Sequence, residues 1–376
     1  MKLAFESTLL LGNRSGVGNY MYHLAGELCR LPEIEEMYFI ANRYKKNGNL
    51  PNFTAASKAR YHQAWVPQSL SDHLAYQMWY HWYLGSYVKK KAVDVIHFPS
   101  LIGAKYPRCR TVLTVHDLSF ATFYPRTKRT DHYREYGLRS AKLADRVITD
   151  SQATKHDLIN IWEIAESKIN VIPLGCGPEF RLLDRAQCSA EIKKELGIDL
   201  PFILYVGNIE PRKNLAFLIK VFADALKRTP GLKLLIAGRQ TMPYPEFYQA
   251  LTDSPARESI TIISNPSLEM LLQLYNSAAC FCYPSLMEGF GLPVLEAFNC
   301  GCPVIAADNS SIPEVTGDAA ILLDANDHEG WVTAIQGFST SNALADEYRL
   351  KGQQRAEVFS WEKCARQTAA VYKGLL

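Results

Sequence analysis

The chain has 376 residues, 48% of them hydrophobic and 21% charged, with a net charge of +3. That length suits two domains with separate cores, and the small charge excludes nucleic acid as a default partner. No apolar run reaches the roughly 20 residues needed to span a bilayer. The N-terminal run MKLAFESTLLLGNRSG lacks a small-residue cleavage site and reads as a first strand, not a signal peptide. Nine cysteines without paired spacing suit a reducing compartment. The pairs Cys280/Cys282 and Cys300/Cys302 lack metal-site spacing and read as buried thiols.

In chain order, residues 2–5 form an edge or core strand. The loop 12–18, GNRSGVG, leads into an amphipathic helix over 19–30. It is either a place where backbone approaches a ligand closely or a tight turn; its spacing does not match G-x-G-x-x-G. A second strand covers 38–41, and the polar stretch 42–68 carries no clear element. Residues 71–91 include DHLAYQMWYHWYLGSYVKKK, a helical pattern dense in Trp and Tyr that ends in three lysines. Such a helix suits a membrane interface or an ordinary core helix whose basic end matches the helix dipole.

The runs 93–97 and 111–115 read as buried parallel strands. The second ends in His116-Asp117, on the rim where open α/β sheets bind ligands. Residues 124–142, rich in Arg, Lys and Tyr, are either a solvated helix face or a landing surface for an anionic acceptor. A strand over 146–149, a cap at Asp150-Ser151 and a strand over 170–173 complete this half. The run Gly175-Cys176-Gly177-Pro178 marks a domain boundary.

The second half opens with a helix over 188–196 and a strand over 202–206. The turn 207–214, GNIEPRKN, carries the adjacent cations Arg212 and Lys213. Arg can fork onto phosphate oxygens and Lys adds a point charge. Strands over 232–237, 260–263, 279–283, 304–307 and 320–323 alternate with helices, and 311–314 reads as a loop on the same rim. Between two of these strands lies PSLMEGFGLPVLEAFNCGCP, residues 284–303. Its glycines 289 and 291 precede Pro293 at a helix start, and Gly301 ends that helix. Glu288 stands on the loop and Glu296 one turn into the helix, with seven residues between them. Backbone N–H groups flanked by acids suit a ligand that is part phosphate and part sugar. A final amphipathic helix follows Ser360.

The run EGFGLPVLE resembles the hallmark of retaining glycosyltransferase family 4, and PRKN at 211–214 is similar to that family's diphosphate-binding turn. The TVHD run ending at Asp117, SGVGNY at 15–20 and FSWEK at 359–363 resemble its other motifs, in order along most of the chain. Within the family, these forms look most like mannosyltransferases of bacterial surface-polysaccharide assembly, including lipopolysaccharide and exopolysaccharide. The resemblance implies an α/β GT-B fold: two facing Rossmann-like doubly wound domains with the active site in their cleft. Residues 1–173 would form the acceptor domain, joined by a C-terminal helix, 358–376, that crosses back to it. Residues 174–357 would hold the nucleotide-sugar donor.

Carried over by motif, Arg212 and Lys213 would neutralise the diphosphate, and Glu288 would accept bonds from donor-sugar hydroxyls. Backbone of Gly289, Phe290, Gly291 and Leu292 would lie nearby, and Glu296 would hold the ribose. Gly16 would admit phosphate close to backbone, and His116 would contact the sugar near its reacting carbon. Asn208 departs from the Arg that many members carry there, which leaves the diphosphate to Arg212 and Lys213. The resemblance implies retention of configuration by front-face displacement, without a metal or other cofactor. The expected reaction moves mannose from GDP-mannose to a lipid-linked saccharide. The place is the cytoplasm, at the inner face of the membrane if the 73–91 and 124–142 stretches touch lipid. The alternatives are a UDP-sugar donor (glucose, galactose or N-acetylglucosamine) or a nucleotide-sugar epimerase of the same fold.

Overall fold

Short apolar runs without polar alternation make strands buried on both faces, and such strands need helices on either side. The computed structural model describes residues 1–11, 16–42, 49–53, 58–64 and 72–376. They form two units, Met1–Gly175 with Ser360–Leu376, and Cys176–Phe359.

Among the described residues, the first unit holds β1 (Lys2–Glu6), β2 (Glu36–Asn42), β3 (Ala59–Ala64), β4 (Val95–Phe98), β5 (Arg110–Thr114), β6 (Arg146–Thr149) and β7 (Ile169–Val171). They make one parallel sheet in the order β3-β2-β1-β4-β5-β6-β7. The second unit holds β8 (Phe202–Val206), β9 (Lys233–Ala237), β10 (Ile260–Ile263), β11 (Cys280–Tyr283), β12 (Val304–Ala307) and β13 (Ile321–Leu323). Their order is β10-β9-β8-β11-β12-β13, again parallel. Strand order therefore reverses between β1 and β4 in one unit and between β8 and β11 in the other. A doubly wound sheet binds ligands at the carboxyl end of such a switch.

Several expectations are refined. The opening strand, β1, is central rather than an edge, and its side chains from Leu3 to Phe5 are fully buried. The polar stretch 42–68 contains an edge strand, β3, whose sequence ARYHQA shows no apolar alternation because one side of an edge strand faces solvent. The expected rim loop 311–314 is instead the start of a helix, Ile312–Thr316, with Ser311 before it. Of the loop 12–18, residues 12–15 lie outside the described residues, and the helix Gly16–Leu28 begins at Gly16. Cys280 and Cys282 face the same side of β11, as strand alternation dictates, with sulfurs 3.9 Å apart.

The aromatic stretch is a helix with a wide middle turn. Residues Asp72–Tyr76 and Leu84–Lys91 are α-helical, and Gln77–Tyr83 is π-helical, with Leu84 N–H bonded to the carbonyl of Trp79. Tyr76 and Trp79 are buried, whereas Trp82 is 65% exposed. The C-terminal helix Trp361–Lys373 packs on the helix Gly16–Leu28, where Trp361 stacks on His23 at 5.2 Å. Among the described residues no helix is long and apolar enough to cross a membrane.

Candidate active site

At the switch of the second unit, the loops after β8 and β11 meet. The turn Pro211–Lys213 stands at the mouth of β8, and Asn214 leaves it in left-handed backbone, φ 56°. The main chain of the two loops is joined by Leu286 N–H bonding to Arg212 C=O at 2.7 Å. Gly238, at the end of β9, must lack a side chain: a Cβ there would come within 1.8 Å of the Gly207 carbonyl oxygen. This tight packing sets where the cation-bearing turn leaves the sheet.

The two cations do not stand open to solvent. Arg212 Nη1 donates to Glu288 Oε2 at 2.9 Å and to the Met287 carbonyl at 2.8 Å, while its Nε lies 2.8 Å from Glu210 Oε1. Lys213 Nζ contacts Glu288 Oε1 and donates to the Tyr283 hydroxyl at 2.9 Å, 5.0 Å from that ring's centre. Lys213, Glu288 and Glu210 are 5%, 7% and 6% exposed, so the net of two cations and two carboxylates is buried except at Arg212, which is half-buried. Burial opposes ionisation of Glu288, yet Lys213 and then Arg212 hold its carboxyl down at about 2. Lys213 runs the other way: burial lowers its proton affinity and Glu288 restores only part of it. The pair therefore stabilises the fold less than Glu288 alone indicates. Glu210 was not singled out in the sequence. Its signal was its place two residues before Arg212, on the near side of the same turn.

The loop that carries Glu288 is pinned from the neighbouring strand end. Ser310 Oγ donates to Glu288 C=O at 2.6 Å, and Ser311 Oγ bonds to the carbonyls of Glu288 and Phe290 at 3.0 and 2.9 Å. Gly291 precedes the helix Leu292–Asn299 at φ 115°, and a Cβ on it would sit 2.9 Å from Ile312 Cδ1. Phe290 turns its ring onto Phe359, at 5.8 Å and 78°, so its side chain belongs to the packing and only its backbone borders the loop with buried Gly289. Leu292 opens the helix, and Asn208 is exposed beyond β8. Glu296 lies on that helix, where Tyr275 donates to its Oε2 at 3.0 Å. Burial pushes the Glu296 carboxyl up to about 7 against that hydrogen bond, with help from Glu179.

In the first unit, His116 follows β5, but its acid is not the adjacent Asp117. Asp117 Oδ1 accepts from the N–H and hydroxyl of Ser119 at 2.9 and 2.6 Å, a local turn cap. The partner is Asp150, at the end of the neighbouring strand β6, whose Oδ2 is 2.6 Å from His116 Nδ1. Asp150 had been grouped with Ser151 as a cap; Ser151 alone caps the helix Gln152–Asn160. His116 Nε2 faces the Pro99 carbonyl at 3.2 Å, so both ring nitrogens meet acceptors, which is the pattern of an imidazolium. Burial works against that proton, but Asp150 outweighs it and raises the His116 pKa. Burial likewise raises Asp150, and His116 offsets it.

A buried hydrogen-bonded row supports this ring. Tyr372 of the C-terminal helix meets His97 Nδ1 at 2.6 Å, His97 Nε2 meets Thr114 Oγ1 at 2.8 Å, and Thr114 Oγ1 meets Tyr20 OH at 2.9 Å. The Tyr20 ring then stands edge-on to His116 at 4.7 Å. His97 is neutral here: burial, and next the charge of His116, lower its pKa to about 3. Gly16, the first residue of the same helix as Tyr20, has open space where a Cβ would stand. A cavity of about 820 Å³ opens beside His116 at the switch of this sheet. Among the described residues no three His, Cys, Asp or Glu side chains gather as a metal site.

Comparison with known proteins bears on the family and the fold. The family model described as Glycosyltransferase Family 4 matches residues 14–180, and that described as Glycosyl transferases group 1 matches residues 189–355. The O-antigen chain mannosyltransferase B of Escherichia coli is 31% identical over 277 residues, 70% of each chain. A serotype-specific mannosyltransferase, WbdA of Escherichia coli, is 28% identical over 68% of this chain, which spans only 32% of that longer protein. Sucrose-phosphate synthase from Thermosynechococcus elongatus shares the fold, with TM-score 0.76 and 20% identity over all of this chain and 98% of its own.

Proposed function

This chain belongs to glycosyltransferase family 4, and from that premise we propose that it transfers mannose from GDP-mannose, with retention, onto a lipid-linked saccharide of a surface polysaccharide. The observation that carries the reading is the cluster of half-buried Arg212 with buried Lys213 and Glu288 at the switch of the second sheet. Arg212 and Lys213 face the donor diphosphate, Glu288 the sugar hydroxyls and Glu296 the ribose. Backbone from Gly289 to Leu292 lines the sugar, Asn208 adds a neutral contact at the end of β8, and Gly16 leaves room for phosphate. The bond from the sugar's anomeric carbon to phosphate oxygen breaks as the acceptor oxygen bonds to that carbon on the same face. The acceptor's proton passes to the leaving phosphate. Negative charge grows on that phosphate, so the two cations act more strongly in the transition state than before it. They supply the charge a divalent metal would bring, and chelator is expected to leave the rate unchanged. His116, whose pKa is raised and whose two ring nitrogens both face acceptors, contributes charge beside the sugar rather than taking a proton.

Donor binding on this reading is an exchange. Glu288 gives up the cations to the diphosphate and turns to the sugar, so sugar recognition follows phosphate recognition. The test is thermal unfolding with GDP, UDP and their sugars, followed by assay of the stabilising sugar nucleotide with and without EDTA. A ligand at about 100 times its dissociation constant adds about 2.7 kcal/mol, an upward shift of several degrees. Stabilisation by UDP with none by GDP overturns the mannose assignment in favour of a UDP-sugar.

A further inference from the structure

Glu288 has two sets of partners, and donor binding exchanges only one of them. Its carboxylate contacts Arg212 and Lys213, which on the reading above pass to the donor diphosphate. Its main chain is held by Ser310, beyond the neighbouring strand β12. The Ser310 hydroxyl donates its single proton to the Glu288 carbonyl at 2.6 Å and accepts the Glu288 N–H at 3.2 Å. Ser311 adds a second donor to the same carbonyl at 3.0 Å. One side chain therefore grips the acid's own peptide groups on both sides of its Cα.

The backbone that presents this hydroxyl is strained. Among the described residues, those other than glycine with positive φ are Ala92, Glu163, Asn214, Asn265 and Ser310. Asn214 and Asn265 also stand past strands of the second sheet, but asparagine enters this region more readily than serine. Ser310, at φ 53°, holds a conformation that glycine takes without strain. Backbone of this kind gathers at functional sites, where the surrounding structure holds it in place. Here the side chain retained against the strain is the one that binds Glu288 twice.

We propose that Ser310 is a positioning residue for the reaction: it aims the Glu288 carboxylate at the donor sugar once the cations have turned to phosphate. The proposal rests on the donor reading above and deepens it. With Arg212 and Lys213 engaged by diphosphate, the carboxylate loses the ion pairs that orient it, and its direction then follows from its backbone. A small misplacement of an orienting group is enough to slow a reaction. The nucleotide does not depend on this aim, because on the same reading it is held by the cations and by Glu296 on the helix Leu292–Asn299. Ser310 thus serves the sugar and spares the nucleotide, whereas a serine that only tied two loops together would affect both or neither.

The test compares Ser310→Ala with Ser310→Gly. Both remove the hydroxyl, but only glycine also relieves the backbone, so the glycine variant should melt above the alanine variant. Turnover is read as release of GDP from GDP-mannose with water as acceptor. Water's oxygen bonds to the anomeric carbon, the bond from that carbon to phosphate oxygen breaks, and water's proton goes to the leaving phosphate. In both variants kcat should fall about tenfold. KM for GDP-mannose and the calorimetric Kd for GDP should stay within about threefold of wild type. The proposal is overturned if either variant keeps the wild-type kcat, if the glycine variant regains rate along with stability, or if GDP binding weakens as much as turnover. If wild type releases nucleotide only from a UDP-sugar, the mannose assignment fails, while the same comparison made with that sugar nucleotide and UDP still decides the role of Ser310. Wild type that turns over neither kind overturns the donor reading and this proposal with it.

Discussion

The two units offer the same site in topology and opposite sites in chemistry. Each sheet reverses strand order once, between β1 and β4 or between β8 and β11; the cation turn follows β8 at its reversal, whereas His116 follows β5, beside a cavity that reaches the reversal through Glu6 of β1. In the second unit the crevice is ionic: Arg212 and Lys213 against Glu210 and Glu288. In the first it is aromatic on one side, with Glu6, His116, Asp117 and Lys128 also in its lining and Asp150 behind His116. A doubly wound sheet thus fixes where a ligand goes, and the loop sequences fix which ligand. An ionic crevice suits a diphosphate, whose charge must be matched.

The largest expected effect tests the ionic crevice. Glu288→Gln removes the acid that occupies the cations in the absence of ligand. It should bind GDP more tightly than wild type, yet transfer sugar roughly a hundredfold more slowly because the sugar loses its charged acceptor and meets an amide in its place. Lys213→Ala should do the reverse to GDP, weakening it, and cost about tenfold to a hundredfold in turnover for one charge-assisted contact of about 1.5–3 kcal/mol. Calorimetry with GDP and a transfer assay on both variants settle the sign. If Glu288→Gln binds GDP more weakly than wild type, the carboxylate is not exchanged for phosphate.

The next effect tests the charged pair of the aromatic crevice. Asp150→Asn removes the carboxylate that raises the His116 pKa. Turnover should fall about tenfold, the scale of one displaced charge of about 1.4 kcal/mol. The direction with pH follows from the raised His116 pKa. The pair's stabilisation is fully present below the unfolded value of 6.5 and is lost as pH rises through the folded value. In Asp150→Asn that dependence should vanish, and the His116 ring resonances should titrate at lower pH than in wild type. Unchanged titration of His116 would leave Asp150 without a role in its charge.

Strand positions and the cation turn were legible in the sequence because they depend on local signals. The run FILYV, the glycine turn and PRKN lie within one strand–turn–helix passage, and β6, β8, β10 and β12 fall on the residues expected. Pairings between strand ends were not legible. Asp150 lies 34 residues from His116, and only the adjacency of β5 and β6 brings them together, while nearby Asp117 offered a plausible but wrong partner. The state of Arg212 and Lys213 was likewise hidden. The sequence showed two cations in a turn, but their neutralisation by Glu288 depends on β8 lying beside β11. The aromatic helix was ambiguous for a related reason: its spacing showed an apolar face, and only the fold shows that face turned toward a cavity.

The smallest effect sets the two glutamates of the ionic crevice against each other. Glu288 is depressed, so its stabilisation is present above pH 4.5 and lost as pH falls toward about 2. Glu296 is raised, so the folded state holds its proton longer than the unfolded chain and loses stability as pH rises from 4.5 to about 7. The full shift corresponds to a ceiling of about 3 kcal/mol, and relaxation with water entry reduces it to about 1 kcal/mol. Glu296→Gln should therefore melt a few degrees above wild type at pH 8 and equal it near pH 4. The same titration should appear in ligand binding. Ribose hydroxyls favour the ionised acid, so GDP affinity in wild type should rise severalfold between pH 6 and 8, in line with a tenfold limit per pH unit for one proton. In Glu296→Gln it should be flat. A wild-type affinity that is already flat over that range would mean that Glu296 keeps its proton with nucleotide bound, or that the ribose lies elsewhere.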